Sequence, residues 1–282
     1  MWESVYAYHY NSRGPREKTF LPFREPRTCR FCNGAIPTVS FSQRCHIIPA
    51  AFGNRTLFSH EECDNCNIRG SNFENDLVGF LALERALAGQ RTRRGGTKYR
   101  LLPERSYISS RVSSKVSDIV TYRGDRSIKA SLVEENTLSV SVELPPHCLN
   151  GVAKALVRMA LFVIPSDQLQ QCAHLIGWLD NEIEWAPVFY KTFFLRCWLD
   201  KIGLWVEYNA STQIFRTYFG FTNSLLLIDF PAFKLPSSDL RLPPMADTAD
   251  WTLKAYHAPA TRIAIKGRRK TIELSFDRGI ER

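Results

Sequence analysis

Two Cys-x-x-Cys pairs, Cys29/Cys32 and Cys63/Cys66, stand about thirty residues apart in a chain of 282 residues. Two tight thiolate knuckles at that separation read as a four-cysteine zinc site, tetrahedral and closed, with no position left open for substrate. Such an ion contributes folding free energy and performs no chemistry itself. Disulfides are the competing use of paired cysteines. The start Met1-Trp-Glu-Ser-Val-Tyr6 has no basic segment followed by an apolar run, so a cytoplasmic, reducing setting is expected. A thioredoxin-like redox role fits poorly, because those motifs come singly in a βαβ setting.

Apolar runs such as Ser224-Leu-Leu-Leu-Ile-Asp229 are far too short to cross a bilayer, so no membrane association is expected. A hydrophobic content of 44% with six tryptophans predicts packed cores. The formal charge of +9 suits a polyanion partner, and plain solubility accounts for it as well. Four segments are expected: a lead-in over 1–25, a zinc-bearing unit over 26–90, a basic hinge and strand-rich segment over 91–144, and an α+β domain over 145–282.

In the lead-in, Trp2, Tyr6, Tyr8, Tyr10, Phe20 and Phe23 lie among Arg, Lys and Pro. Irregular or strand-like packing is one reading and base stacking the other. Pro37–Ser42 is β-branched and aromatic and predicts a strand that delivers His46 at its end. Thr56–Phe58 predicts a second strand. Asp64 or Asn65 caps a helix that continues through Phe73, Leu77, Phe80 and Leu83 at helical spacing and fades near Ala88-Gly89.

The Arg91–Arg100 stretch, with Arg93, Arg94 and Lys98, is either a phosphate-contacting linker or a solvated turn. Strands are expected around 119–122, 128–132 and 138–142. Leu149–Ile164 predicts a helix with Val152, Leu156, Met159 and Val163 on one face, and Ser166 caps another running to Leu179. Strand patterns follow at 192–198, 204–208, 214–219 and 225–230. Pro236–Asp250 reads as an exposed connection, and 263–265 with 272–276 as a hairpin about a basic turn. Cys148, Cys172 and Cys197 lie among apolar neighbours and read as core thiols. His9, His147, His174 and His257 have no partner at metal-ligand spacing and read as structural.

A zinc site satisfied by four thiolates leaves His46, in Cys45-His-Ile-Ile-Pro49, and Asn67, directly after the last cysteine, without a structural task. With the knuckles, Gly53-Asn54, Glu62-Cys-Asp-x-Cys-Asn67 and Phe73-Glu-x-x-Leu77, residues 26 to 88 resemble the HNH endonucleases, the ββα-metal or His-Me finger nucleases. The resemblance implies an α+β protein with a zinc-stabilised ββα-metal domain followed by a mixed α+β C-terminal domain. It also implies hydrolysis of DNA phosphodiesters to a 5′-phosphate and a 3′-hydroxyl, with RNA left open as substrate. His46 is then the general base, since an imidazole with an unperturbed pKa of about 6.5 can accept a proton from water at physiological pH. Asn67 is a ligand of a catalytic Mg²⁺ or Mn²⁺ that neutralises charge developing at the phosphate.

The sequence departs from the family at Cys45, where many members carry an acidic metal ligand. Glu74, or Asp76, is the nearest replacement, since Glu74 lies about two helical turns beyond Asn67. The family's middle asparagine, which steadies the base loop, has no clear match, because Asn54 is unexpectedly close to His46. His60 either orients a neighbour or merely ends a strand. Chains of this arrangement resemble bacterial and phage-related restriction or defence nucleases. The C-terminal domain would supply target recognition, regulation, a protein partner surface or homo-oligomer contacts. The alternative is a zinc-stabilised nucleic-acid-binding or regulatory protein that cuts nothing.

Overall fold

The structure, a computed structural model, describes residues 1–11, 18–23, 25–89, 91–92, 95–96, 98–111, 116–135, 137–182, 184–193, 199–222, 224–232, 254–259, 264–265 and 267–275. Arg93, Arg94, Cys197, the 236–250 connection and Lys266 lie outside these residues. In chain order the main elements are β1 (Trp2–Asn11), β2 (Thr19–Phe20), β3 (Cys45–His46), β4 (Leu57–Ser59), α1 (Asp64–Phe80) and α2 (Ala82–Leu87). They continue as β5 (Lys98–Tyr99), β6 (Tyr107–Arg111), β7 (Val116–Val120), β8 (Ile128–Glu134), β9 (Thr137–Glu143), α3 (Leu149–Val163) and α4 (Ala173–Leu179). The last are β10 (Val188–Phe193), β11 (Leu199–Asn209), β12 (Ile214–Thr222), β13 (Ser224–Pro231), β14 (Lys254–His257) and β15 (Arg269–Ser275). Helices and several sheets together make the chain α+β.

Two compact units emerge, and neither is a continuous stretch of sequence. One combines Met1–Leu77 with Cys148–Ile263, the other Val78–His147 with Ala264–Arg282. The linear division into four segments therefore differs from the packing. β1 shows why: it forms a ten-residue antiparallel ladder with β11, from Trp2 opposite Asn209 to Asn11 opposite Lys201. The lead-in is thus an outer strand of an antiparallel six-stranded sheet, in the order β1-β11-β12-β13-β10-β14.

Within this first unit the sheet packs with α3, all fifteen residues of which are buried. A helix apolar on nearly every side belongs in a core, so the single face expected from periodicity understates its burial. Its two charged residues are accommodated individually. Lys154 Nζ donates to Leu179 O (3.1 Å) and Asn181 Oδ1 (2.6 Å), and Arg158 meets carboxylates described below. Asp76 of α1 accepts from the Cys148 N–H (3.0 Å), immediately before α3, where a negative charge is favourable. The approach is close enough that a Cβ on Gly151 would lie 1.9 Å from Asp76 Oδ2.

The second unit has a core of Leu83, Ala86, Tyr99, Ile108, Ile128, Val140, Val142 and Leu144. Its sheets run β8-β9-β15 and β5-β6-β7. β15 pairs with β9, Thr137 opposite Ser275 through Glu143 opposite Arg269, instead of folding back on residues 263–265 as a hairpin. The β9 edge offers seven residues in register, which a short local turn cannot match. In the basic hinge, Arg91–Thr92 and Gly95–Gly96 pair as a small antiparallel ladder. Among the described residues no helix is long and apolar enough to cross a membrane.

Candidate active site

The zinc knuckles come first, because they fix everything around them. In the first, the Asn33 N–H donates to Cys29 O (2.9 Å) and the Cys29 N–H to Gly34 O (2.8 Å). Asn33 takes the left-handed conformation (φ 55°) this turn requires, which asparagine tolerates better than most side chains. The second knuckle overlaps the start of α1, with the Asn67 N–H bonded to Cys63 O (3.0 Å). The four thiol sulfurs all lie within 4.8 Å of one another, and Cys32 Sγ is 3.7 Å from Cys63 Sγ. Metal–sulfur bonds of about 2.3 Å in a tetrahedron require sulfurs roughly 3.8 Å apart, so the cage fits an ion of zinc's size and thiophilicity. The Cys63 N–H donates to Cys29 Sγ (3.4 Å), and Arg69 Nη2 to Cys66 Sγ (3.0 Å), which offsets the negative charge that four thiolates carry. The hydrogen bond from Cys66, then the backbone donors, pull the Cys29 thiol down to about 4.

Asp64, next to Cys63, ties this cage to the loop before His46. Its carboxylate accepts from Ser40 Oγ (2.6 Å), Ser42 Oγ (2.7 Å), the Ser42 N–H (3.1 Å) and the Gln43 N–H (2.9 Å). The Ser40 hydroxyl foremost, with the other donors, holds its carboxyl far below the usual range. These bonds also explain why 37–42 is not the predicted strand. The Val39 N–H instead closes a turn on Ala35 O (3.1 Å), the Ser42 N–H goes to Asp64, and the Asp64 N–H in turn donates to Ser40 O (2.8 Å).

The strand that carries His46 is only two residues long. In β3, Cys45 pairs with Ser59 and His46 with Phe58 of β4, in a three-stranded sheet of order β2-β4-β3. Neighbouring strand residues point to opposite faces. Cys45 is fully buried and half-buried His46 tilts over Phe58, ring centroids 4.7 Å apart. Burial first, then nearby Glu62, pushes the Cys45 thiol well above its ordinary value, and its Sγ donates to Glu62 O (3.5 Å). Cys45 is therefore a neutral core thiol facing away from His46.

Asn54 lies in the loop between β3 and β4. Its buried Nδ2 donates to Ile48 O (2.7 Å) and Leu57 O (3.0 Å), while Oδ1 accepts from the Thr56 N–H (3.1 Å) and the Leu57 N–H (2.9 Å). One carboxamide thus closes the loop between β3 and β4. Asn54→Ala strands several buried backbone groups and is expected to cost on the order of 3 kcal/mol, read as a lowered urea midpoint with an unchanged slope.

Asn67, in the first turn of α1, donates from Nδ2 to Gln43 Oε1 (2.8 Å), three residues before His46. The structure thereby ties the helix start bearing Asn67 to the loop leading into His46. Glu74 goes elsewhere. Seven residues of helix rise about 10.5 Å, and the Glu74 carboxylate binds Arg158 Nη1 (2.8 Å). Arg158, 3% exposed, also grips Glu62 (2.7 Å from Nη2 to each oxygen) and lies over the Phe162 ring (4.9 Å). Burial pushes the Glu62 and Glu74 carboxyls upward, and Arg158 pulls both back. A Cβ on Gly70 would sit 2.4 Å from this guanidinium, so glycine there makes room for it. Asp76 likewise serves the start of α3. Among the described residues, the four cysteines are the one group of three or more His, Cys, Asp or Glu side chains close enough to share an ion.

Residues 29–77 match the family model described as HNH endonuclease. This segment is an HNH endonuclease-family domain. No curated protein and no solved structure matches the chain. In the HNH domain, sequence reasoning found the four-cysteine cage. It missed the work of Asn54, Asp64, Gln43 and Arg158, of which only Asp64 gave a signal, as a helix-start residue.

Cys148 and Cys172 are buried thiols, and His147 is buried with Nδ1 2.8 Å from Pro145 O, in keeping with structural roles.

Proposed function

We propose that the protein is a metal-dependent endonuclease that hydrolyses DNA phosphodiester bonds, with His46 as general base and Asn67 as a ligand of the catalytic ion. The observation that carries this reading is the Asn67–Gln43 hydrogen bond, which couples the helix start to the loop of His46 inside the HNH domain. The basic balance of the chain (+9) favours a polyanionic substrate.

The Asn67 carbonyl oxygen, with exposed Gln43 beside it, suits a hard cation such as Mg²⁺ or Mn²⁺, completed by water and substrate phosphate oxygens. When bound, the ion neutralises charge developing on the phosphate and the leaving oxygen. His46 takes the proton from the attacking water. Asn54 and the Phe58 ring hold the imidazole's strand in place, and Asp64 holds the preceding loop against α1. With Glu74 paired to Arg158, the hydrolytic reading rests on His46 and Asn67. The four-thiolate ion, zinc by its donor set, is structural.

Supercoiled plasmid incubated with Mg²⁺ or Mn²⁺ is expected to be nicked or linearised. His46→Ala is expected to lose roughly a hundredfold or more in rate while retaining its zinc and its fold. Equal cutting by His46→Ala removes the histidine from the mechanism. The buried thiol at Cys45 and the commitment of Glu74 and Asp76 to α3 favour a second reading, a zinc-stabilised DNA binder without cleavage. Salt-sensitive binding with intact DNA at every metal concentration selects it. A role in restriction or defence is the biological setting we infer for the cutting activity.

A further inference from the structure

The sheet that presents His46 carries a run of aromatic rings that the hydrolytic step does not use. Phe20 of β2 stands in register with Phe58 of β4, and Phe58 in register with His46 of β3, so the three share a row across the sheet. Two residues beyond Phe58, His60 projects to the same face. The Phe20 and His60 rings stack with centroids 4.5 Å apart and planes 10° from parallel, and Phe20 and Phe58 stack at 5.4 Å. Phe23 tilts onto His60 at 5.1 Å. The outcome is a ridge in the order Phe23, His60, Phe20, Phe58, His46. Two of its phenylalanines are open to solvent, Phe20 at 37% and Phe23 at 41% exposure.

Cations flank the ridge. Arg27 lies beside His60, Nη2 to Nδ1 3.4 Å, and over the Phe41 ring at 4.5 Å. Burial and the charges of Arg27 and Arg44 hold the His60 imidazole below its ordinary pKa, so it is a neutral ring in the stack at neutral pH. Exposed aromatic side chains among arginines are what a protein offers to unpaired bases, whose own faces are free, while its cations follow the phosphates. In an intact duplex each base is already stacked on its neighbours. A purely apolar partner gains nothing from the flanking charges.

We propose that Phe20 and Phe23, backed by His60, form a stacking platform for unpaired nucleobases, so that the chain engages single-stranded or locally opened DNA next to His46. This rests on the nuclease reading for its purpose but not for its test. The experiment uses the full zinc-loaded chain without added divalent cation, so that no cleavage occurs. A single-stranded oligonucleotide carrying 2-aminopurine and its fully paired duplex are titrated in parallel. The single strand is expected to bind at least tenfold more tightly than the duplex, with the 2-aminopurine fluorescence changed on binding. Phe20→Leu and Phe23→Leu are each expected to weaken single-strand binding roughly tenfold, with zinc content unchanged. Equal affinity for duplex and single strand overturns the platform. So does an undiminished fluorescence change in the Phe20→Leu/Phe23→Leu double variant. Stacking without cleavage under any metal leaves the platform standing and removes the nuclease; cleavage of duplex without stacking does the reverse.

Discussion

Stripping the metal from the four cysteines is expected to unfold the HNH domain rather than merely loosen it. The strands beside the cage are short: β3 and β4 are two and three residues long, and one carboxamide closes the loop between them. A structural zinc in a small domain contributes about 10–16 kcal/mol of apparent binding free energy at neutral pH, more than the whole stability of a typical domain. Cys63→Ser removes a ligand that also donates its N–H to Cys29 Sγ and whose carbonyl accepts from the Asn67 N–H. Exhaustive chelation, or that variant, is therefore expected to abolish the cooperative thermal transition of this segment and to release one zinc per chain. A metal-free chain with unchanged hydrogen-exchange protection over residues 29–77 refutes the structural role.

Replacing Arg158 by methionine is the second large effect expected. Methionine is unbranched, of similar volume though shorter, and suits the aromatic surroundings of Phe31 and Phe162. It cannot neutralise Glu62, which has no exposure at all, or Glu74, which is 22% exposed. Breaking a buried pair by deleting one partner costs about 3–5 kcal/mol, a fall in Tm on the order of 10 °C for a unit of this size. The reverse arm is as informative. Arg158→Met combined with Glu62→Leu deletes both fully buried charges and leaves Glu74 able to turn to water, so most of the loss is expected to return. If the double variant is no more stable than Arg158→Met alone, packing rather than charge governs the site.

The metal cage was readable because its signal is local: each knuckle spans four residues and thiolates have few other uses at that spacing. His46 and Asn67 stood out by having no task in the cage. The helices were legible from periodicity, although α3 proved buried on every face, since sequence marks apolar positions and not what surrounds them. The predicted strand at 37–42 failed for a related reason. Its residues favour extension, but Val39 closes a turn on Ala35 and Ser40 and Ser42 bind Asp64 at the start of α1.

Glu74 shows the same division at the candidate site. Helical spacing put Glu74 two turns beyond Asn67 on α1, yet its destination depended on Arg158, 84 residues further along the chain. A buried guanidinium attracts whichever carboxylates lie within reach, and no local pattern announces that meeting. The sequence alone thus determined the four-cysteine cage, the family of residues 29–77 and the two residues for which the cage has no use. Tertiary structure alone decided that β1 completes a sheet with β11, that Asn54 steadies the His46 strand, and that Glu74 serves α3. The physical reason is range: knuckles, turns and periodicity are contacts between near neighbours, whereas ladders and buried ion pairs are chosen only once distant segments share a core.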